Sequence, residues 1–282
     1  METNSLPSMP PPLPPAAEPP PPVKPIARWR WWVHLILIGG YVLPRIALGF
    51  QSPRQHPALS SNWRGLLVVC AAELAVFALA YGLGRLASRA SREELFLPWR
   101  PGWWVVPLGL GYSIVIRFAA GTVIFAAMVM LIATHAVAPG SAQTFVETSR
   151  PDVAKLVDVA ALRHDPAYFW LTLTLVSFVV AGLREEMWRA GTLAAMRALW
   201  PRAFRSFRGQ IVAIALIAVV FGAGHLQLGV LGAIVAGLLG LFLGVIIVVH
   251  RSIWPAVIAH GFLDATTFAL VPYALEKLQH LH

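Results

Sequence analysis

Long apolar stretches dominate this sequence, and their length restricts what the chain can fold into. A helix that crosses a bilayer needs about 20 consecutive residues that are mainly apolar. Seven stretches come close to that length or exceed it: 31–50, 66–84, 103–137, 167–183, 210–226, 230–249 and 253–272. A further stretch, 191–200, is a candidate for an eighth span. The sequence therefore predicts an all-α protein, a polytopic transmembrane helical bundle of about 7–8 spans.

The composition agrees with a membrane protein and argues against other classes. Hydrophobic residues make up 57% of the 282 positions and charged residues 12%. The mean hydropathy of +0.67 is far above that of a soluble domain. The formal net charge is +9, but the basic residues are scattered at the ends of apolar stretches, so we expect no nucleic-acid partner. The single cysteine, Cys70, excludes an intrachain disulfide and a zinc site made of thiolates.

The basic residues also predict the orientation of the chain. Loops rich in Lys and Arg stay in the cytoplasm. Such residues precede the first stretch and follow the second and the fourth: Lys24, Arg28, Arg30, Arg85, Arg89, Arg92, Arg100, Arg197, Arg202, Arg205 and Arg208. Arg54 and Arg64, in the first external loop, run against this pattern. We expect a multi-pass protein of the cell (cytoplasmic) membrane with its N-terminus in the cytoplasm.

The chain divides into four regions. Residues 1–27 are proline-rich and predict a disordered cytoplasmic tail, with a ligand for a proline-binding module as the alternative. No apolar core lies within this tail, so it is not a signal peptide. Residues 28–137 predict the N-terminal transmembrane helices, and the acidic segment 138–166 predicts an external loop. Residues 167–275 contain the remaining helices, which carry three polar motifs.

The first motif follows an apolar run and reads LREEMWRAG, from Leu183 to Gly191. A charged side chain near the bilayer centre costs roughly 2.5–3.5 kcal/mol, so charges there must pair, meet water or act in chemistry. On a helix, Arg189 reaches Glu185 four positions away and Glu186 three positions away. One arginine can thus hold one carboxylate and leave the other as a general base. The alternative is that the helix has reached the membrane surface, where charges are solvated.

The second motif is FGAGHLQ, in which His225 ends an apolar run. The small residues Gly222 and Gly224 allow another helix to approach closely. The alternatives for His225 are a hydrogen-bonded packing residue and a functional residue, and a position within a membrane span favours function.

The third motif lies in the last stretch, after Trp254 and Pro255, which are typical of an interface and a first helical turn. His260 and Asp264 are four positions apart and share one helical face. A carboxylate at this spacing can orient the imidazole, accept its proton or share a metal ion with it. The alternative is a private pair that locks helix packing.

The order Glu-Glu-x-x-Arg, Phe-x-x-x-His and His-x-x-x-Asp resembles the CPBP intramembrane proteases. That family includes the type II CaaX prenyl endopeptidases and bacteriocin-processing or immunity proteins. The resemblance covers about 166–272. Phe221 to His225 fits the second family motif residue by residue, and His260 to Asp264 fits the third, with Asp where Asn is commoner. The resemblance implies that residues 167–275 form a CPBP-like intramembrane protease core.

The first motif is one residue shorter than the family motif, which is Glu-Glu-x-x-x-Arg followed by Gly. If Glu185 and Glu186 are in register with the family pair, an alanine occupies the arginine position and Gly191 matches the glycine. If Arg189 is held in register instead, Glu185 takes the second glutamate position and Arg184 the first. We prefer the first alignment because it keeps three positions.

The resemblance implies hydrolysis of a peptide bond at the membrane, on a prenylated CaaX-like or leader-peptide substrate. Its partners are then the lipid bilayer and a membrane-associated peptide or protein. A first-motif glutamate activates a water held by His225, while His260 and Asp264 stabilise the oxyanion or bind a metal. The candidate catalytic residues are Glu185, Glu186, Arg189, His225, His260 and Asp264. Glu186, His225 and His260 are candidate zinc ligands, although the same groups can work without a metal.

Two other functions stay open. One is a transporter or non-enzymatic membrane scaffold that uses buried charges, and the other is an inactive relative with a shortened first motif. Glu73 and Arg117 lie in apolar stretches outside the three motifs. We expect them to pair with each other as a structural lock, with an ion path as the alternative.

The depth of the motifs in the membrane poses a problem. Simple alternation of spans puts Glu185 at the inner end of its helix, His225 toward the outer end of the next, and His260 in the inner third of the last. The motifs can meet in two ways. Either residues 191–208 re-enter the membrane, or the helices are offset and tilted around a water-filled cavity.

Overall fold

The computed structural model describes residues 26–49, 59–136, 138, 141 and 155–279. Within these residues the chain is helical and has no β-strand, which confirms the predicted all-α class. Most of the predicted proline-rich tail, residues 1–27, and much of the predicted external loop, residues 138–166, lie outside the described residues.

Eleven α-helices are described in this part of the chain. They are α1 (Arg28–Ile38), α2 (Leu43–Gly49), α3 (Trp63–Ser88), α4 (Val105–Ala133), α5 (Val159–His164), α6 (Pro166–Leu171), α7 (Arg184–Leu199), α8 (Pro201–Phe204), α9 (Phe207–Ala223), α10 (Val230–His250) and α11 (Trp254–Gln279). Short 3-10 turns occupy Gly39–Val42, Gly102–Trp104 and Leu226–Leu228. A π-helical segment, Thr172–Leu183, joins α6 to α7.

Several of these helices can cross a membrane. Five are long and apolar enough by length and composition: Trp63–Ser88, Gly102–Ala133, Pro166–Leu199, Val230–His250 and Trp254–Tyr273. The predicted stretch 210–226 lies mostly in the shorter apolar helix α9, and the described part of 31–50 is divided between α1, a 3-10 turn and α2. The chain is therefore a multi-pass helical membrane protein, as predicted.

The helix that carries the first motif is much longer than its apolar run suggests. Helix α6, the π-helical segment and α7 are continuous from Pro166 to Leu199. The Asp165 carboxylate accepts hydrogen bonds from two backbone N–H groups at the start, with Pro166 in the first turn. The helix ends before Pro201, which disfavours helical backbone at the preceding residue. The stretch 191–200 is thus mainly the continuation of this helix, and the prediction of a separate eighth span there is wrong.

The core lies where α1, α7, α9 and α10 meet. Its fully buried side chains include Ile38, Leu193, Ile214 and Ile247. Large apolar side chains on α3 and α4, in contrast, are exposed, such as Phe118 at 74%. An exposed apolar surface of this extent suits contact with lipid.

Small residues allow α9 and α10 to pack closely, as predicted for the second motif. A Cβ atom on Gly222 would lie 2.6 Å from the carbonyl oxygen of Ala233 and 3.2 Å from the Cα atom of Gly237. Only a glycine fits such an approach, because real Cβ atoms do not come this close to backbone.

A buried histidine ties three helices together near the first motif. His34, on α1, is fully buried. Its Nε2 donates to the Gly191 carbonyl on α7 at 3.0 Å, and its Nδ1 accepts from the Ser88 hydroxyl on α3 at 2.8 Å. This bridge holds α7 against the N-terminal helices.

Candidate active site

Two residues of the first motif form a fully buried ion pair. Glu186 and Arg189 each have 0% of the side chain exposed, and Arg189 donates to Oε2 of Glu186. The Arg189 guanidinium also lies 4.7 Å from the ring centre of Phe221, a favourable cation–π arrangement. Arg189 thus binds Glu186, one of the two adjacent glutamates, from the next turn of the helix. It does so although the first motif is one residue shorter than the family motif.

The other oxygen of Glu186 holds a histidine of the third motif. His260 Nδ1 donates to Oε1 of Glu186 at 2.9 Å. Because the carboxylate can only accept, Nδ1 carries the proton in this hydrogen bond. Glu186 is therefore engaged at both oxygens, and it fixes the orientation of the His260 ring.

The opposite edge of His260 faces two more carboxylates. Its Nε2 lies 3.8 Å from Oε2 of Glu185 and 3.7 Å from Oδ2 of Asp264. These distances exceed a direct hydrogen bond, but they are short enough for a charge interaction when the ring is protonated. The predicted His260–Asp264 pair on one helical face is present, and the structure brings it beside the first motif.

Glu185 differs from Glu186 in its surroundings. Its side chain is 13% exposed, and Oε1 accepts from Arg184 Nη2 at 3.1 Å. Oε2 faces His260, as described above. Of the two glutamates, Glu185 is the one that lines the cavity described next.

That cavity joins the first motif to the second. It has a volume of about 30 Å³, and Glu185, Trp188, His225 and Tyr41 are among its lining residues. A water molecule needs about 10–15 Å³ by this measure, so the cavity holds about two. His225 Nδ1 donates to the Phe221 carbonyl at 2.8 Å, and with Nδ1 as the donor an uncharged ring has Nε2 as its acceptor.

Phe221 explains why an aromatic residue stands four positions before His225. Its ring contacts the Arg189 guanidinium. The centre of the same ring lies 4.6 Å from the centre of the His225 ring. The side chain thereby holds the first and second motifs in a common arrangement.

The motifs meet because the helix of the first motif continues past its charges. Four turns of α7 follow Glu185, so the acidic pair lies near the middle of the helix Pro166–Leu199 and not at its end. That helix is about 50 Å long, well beyond the roughly 30 Å thickness of the hydrocarbon core. Of the two alternatives for how the motifs meet, re-entry of residues 191–208 does not apply to 191–199, because these residues continue the helix from Pro166 to Leu199.

The predicted pairing of Glu73 with Arg117 is also wrong. Glu73, on α3, accepts from Nη1 of Arg184. Arg117, on α4, donates instead to α11, to the carbonyl of Leu263 at 2.7 Å and to the Thr266 hydroxyl. Both charges therefore reach from the N-terminal helices to elements that carry the motifs. The sequence contains no local signal for these partners because they depend on which helices are neighbours.

Within the described part of the chain, the predicted zinc ligands do not form a metal site. No group of three or more His, Cys, Asp or Glu side chains that could hold a metal ion exists among the described residues. In the predicted ligand set, both oxygens of Glu186 are engaged by Arg189 and His260, and His225 lies at the cavity of Glu185.

An apolar groove lies on the other side of Trp188. It has a volume of about 430 Å³ and is lined by apolar and small side chains of α1, the following turn, α7 and α9. Trp188 lines both this groove and the cavity of Glu185 and His225. Neither this groove nor Tyr41 was predicted, because both depend on helices that lie outside the three motifs.

A comparison with known protein families supports the resemblance. Residues 166–266 match the family model described as type II CAAX prenyl endopeptidase Rce1-like. The resemblance predicted from the motifs is confirmed. This Rce1-like region, residues 166–266, makes up about a third of the chain. It contains all three motifs. Searches of the curated proteins and of the solved structures found no match.

The Rce1-like region does not build the site alone. Tyr41 lines the cavity, and Glu73 binds Arg184, which precedes the acidic pair. Both residues precede the matched segment.

Proposed function

We propose that the protein is an intramembrane endopeptidase that hydrolyses a peptide bond of a membrane-associated substrate. One observation carries this proposal: Glu185 and His225 line one water-sized cavity inside a helical membrane bundle, beside the His260 cluster. A base, an imidazole that orients water and a donor for the oxyanion are the groups that water attack on an amide requires. The Rce1-like match supports the same reaction class.

Glu185 is the proposed general base, because Glu186 is fully buried and engaged at both oxygens. Glu185 takes a proton from a water that also donates to Nε2 of His225. The water oxygen forms a bond to the carbonyl carbon, and His260 in its charged form donates from Nε2 to the oxyanion. The C–N bond then breaks while the proton passes from Glu185 to the leaving nitrogen, which gives a carboxylic acid and an amine. The acid then passes its proton to the amine, so the products leave as a carboxylate and an ammonium group. Glu186 and Asp264 position His260.

The apolar groove supports a lipid-modified substrate. Its volume of about 430 Å³ lies in the range of ligand pockets, and its lining is almost wholly apolar. Because Trp188 separates it from the catalytic cavity, a hydrocarbon chain in the groove would lie beside the reacting peptide bond. We therefore favour a prenylated CaaX-like peptide over an unmodified leader peptide. We also propose that the N-terminus is cytoplasmic, as the basic residues predict.

The test is cleavage of an internally quenched, farnesylated CaaX peptide by the purified protein in lipid nanodiscs. We expect the wild type to cleave it, and Glu185→Gln, His225→Ala and His260→Ala each to lose about 100-fold or more in kcat/KM. His164→Ala, at an exposed position outside the site, is the matched control and retains activity. Equal cleavage by the wild type and all three site variants would contradict the proposal. The unprenylated peptide tests the groove, and we expect weaker binding.

A further inference from the structure

Arg184 connects the proposed base to a helix outside the Rce1-like region. Its side chain is only 4% exposed, and its guanidinium binds two carboxylates from different nitrogens. Nη1 donates to Oε2 of Glu73 on α3, and Nη2 donates to Oε1 of Glu185 at 3.1 Å. Glu73 and Glu185 are separated by more than one hundred positions, so this contact exists only in the folded chain.

We propose that Glu73 is a positioning residue for the Glu185 base and that it acts through Arg184. This inference rests on the proposed function. Glu73 is not among the residues that line the cavity of Glu185 and His225, and its carboxylate is bound by the Arg184 guanidinium. The effect of its charge on the base is therefore expected to pass through that guanidinium.

The geometry of the guanidinium explains how this works. Arginine presents its donors in a rigid, planar fork that prefers to grip one carboxylate with two parallel hydrogen bonds. A two-point grip on Glu185 would engage both of its oxygens and turn Oε2 away from His260. Because Glu73 holds Nη1, Arg184 gives Glu185 a single hydrogen bond at Oε1. Oε2 then stays directed toward the reacting side, 3.8 Å from His260 Nε2.

The surroundings of Glu73 keep this arrangement in place. Glu73 is half-buried, with 30% of its side chain exposed, and lies in the middle of a membrane-spanning helix. The backbone carbonyl of Glu73 accepts from the Tyr41 hydroxyl at 3.4 Å, and Tyr41 itself lines the catalytic cavity. Helix α3 is thereby fixed to the wall of the site. A simple structural lock would need only Glu73 and Arg184, whereas here the same guanidinium also binds the base.

The test compares kcat and KM of variants on the farnesylated CaaX peptide. Glu73→Gln removes the charge that holds Nη1 at nearly constant size, and we expect kcat to fall roughly 10-fold or more because the base is displaced. KM should change less than about twofold, since Glu73 does not line the groove. Glu73→Asp keeps the charge and should recover part of kcat. The matched control is Glu93→Gln, which removes an exposed ion pair with Arg100 and should leave kcat unchanged.

A double-mutant cycle separates positioning from a general loss of structure. If Glu73 acts through Arg184, the kcat of the variant with both Glu73→Gln and Arg184→Gln equals that of Arg184→Gln alone. Losses that multiply would overturn the inference, as would an unchanged kcat of Glu73→Gln. Thermal unfolding in detergent reports whether each variant is folded. Should Glu73→Gln fail to fold, Glu73→Asp and Arg184→Lys, which keep both charges, give the same cycle.

The proposed function and this inference fail in different ways. A wild type that does not cleave the peptide refutes both. A wild type that cleaves, with Glu185→Gln inactive and Glu73→Gln fully active, refutes the positioning role and leaves the proposed function standing.

Discussion

Replacement of Arg189 by methionine tests the centre of the site through stability. The variant keeps most of the side-chain volume but leaves the Glu186 carboxylate without its ion partner at a position that is fully buried. Removal of one member of a buried ion pair typically destabilises a protein by about 3–5 kcal/mol. The lost cation–π contact with Phe221 adds roughly 0.5–2 kcal/mol.

Buried donors of Arg189 that lack partners reduce the expected loss of stability. Its Nε and Nη2 atoms are buried and have no hydrogen-bond partner among the described residues. Burial of donors without partners is unfavourable, and the methionine removes that cost. We therefore expect Arg189→Met to lower the free energy of unfolding by about 3.5–5 kcal/mol, the lower part of the summed range.

Denaturation in mixed micelles, followed by tryptophan fluorescence, measures this difference. The matched control is Arg202→Met, which makes the same change at an exposed position on α8 and should stay within about 0.5 kcal/mol of the wild type. The combined variant Glu186→Gln with Arg189→Met has no buried charge in the pair and should recover at least about half of the loss. A single variant as stable as the wild type, or a combined variant less stable than the single one, would refute the reasoning.

Three further predictions follow from contacts in the fold. His34→Ala removes two buried hydrogen bonds and should lower the free energy of unfolding by about 2–3 kcal/mol. The exposed control His164→Ala should leave it unchanged, and equal effects of the two variants would contradict the bridge between helices. Gly222→Ala should separate α9 from α10 and cost about 1–3 kcal/mol, while Gly121→Ala, with open space at its Cβ, should be neutral; a neutral Gly222 variant would show that the helices are not in close contact. Gly40→Leu should narrow the apolar groove and raise KM about 10-fold for the farnesylated peptide but not for the unprenylated peptide. An equal rise in KM for both peptides would show that the groove does not bind the prenyl chain.

The long apolar stretches were sufficient to predict the class of fold. Most of them had the length that a bilayer requires, and a helix satisfies its own backbone hydrogen bonds along the chain. Contacts within one helix were predictable for the same reason. Arg189 reaches Glu186 at three positions, and His260 approaches Asp264 at four, because helical spacing is set by the local backbone.

The boundary of the first-motif helix was not predictable from hydropathy alone. The charged pair looks like the end of a span, but Ala190, Leu193 and Ala195, which follow it, are completely buried. Neighbouring helices cover this part of the chain, so it needs neither lipid nor water around it. Burial by other helices leaves no mark on the hydropathy of the segment that is covered.

Only the tertiary structure decided which charges act together. Glu73 binds Arg184 and not Arg117, and Glu185 rather than Glu186 reaches the cavity of His225. The sequence by itself determined the helices and the polar groups that each one carries, because these depend on nearby residues along the chain. The partners of those groups depend on how the apolar surfaces of separate helices pack, and that is a property of the whole bundle.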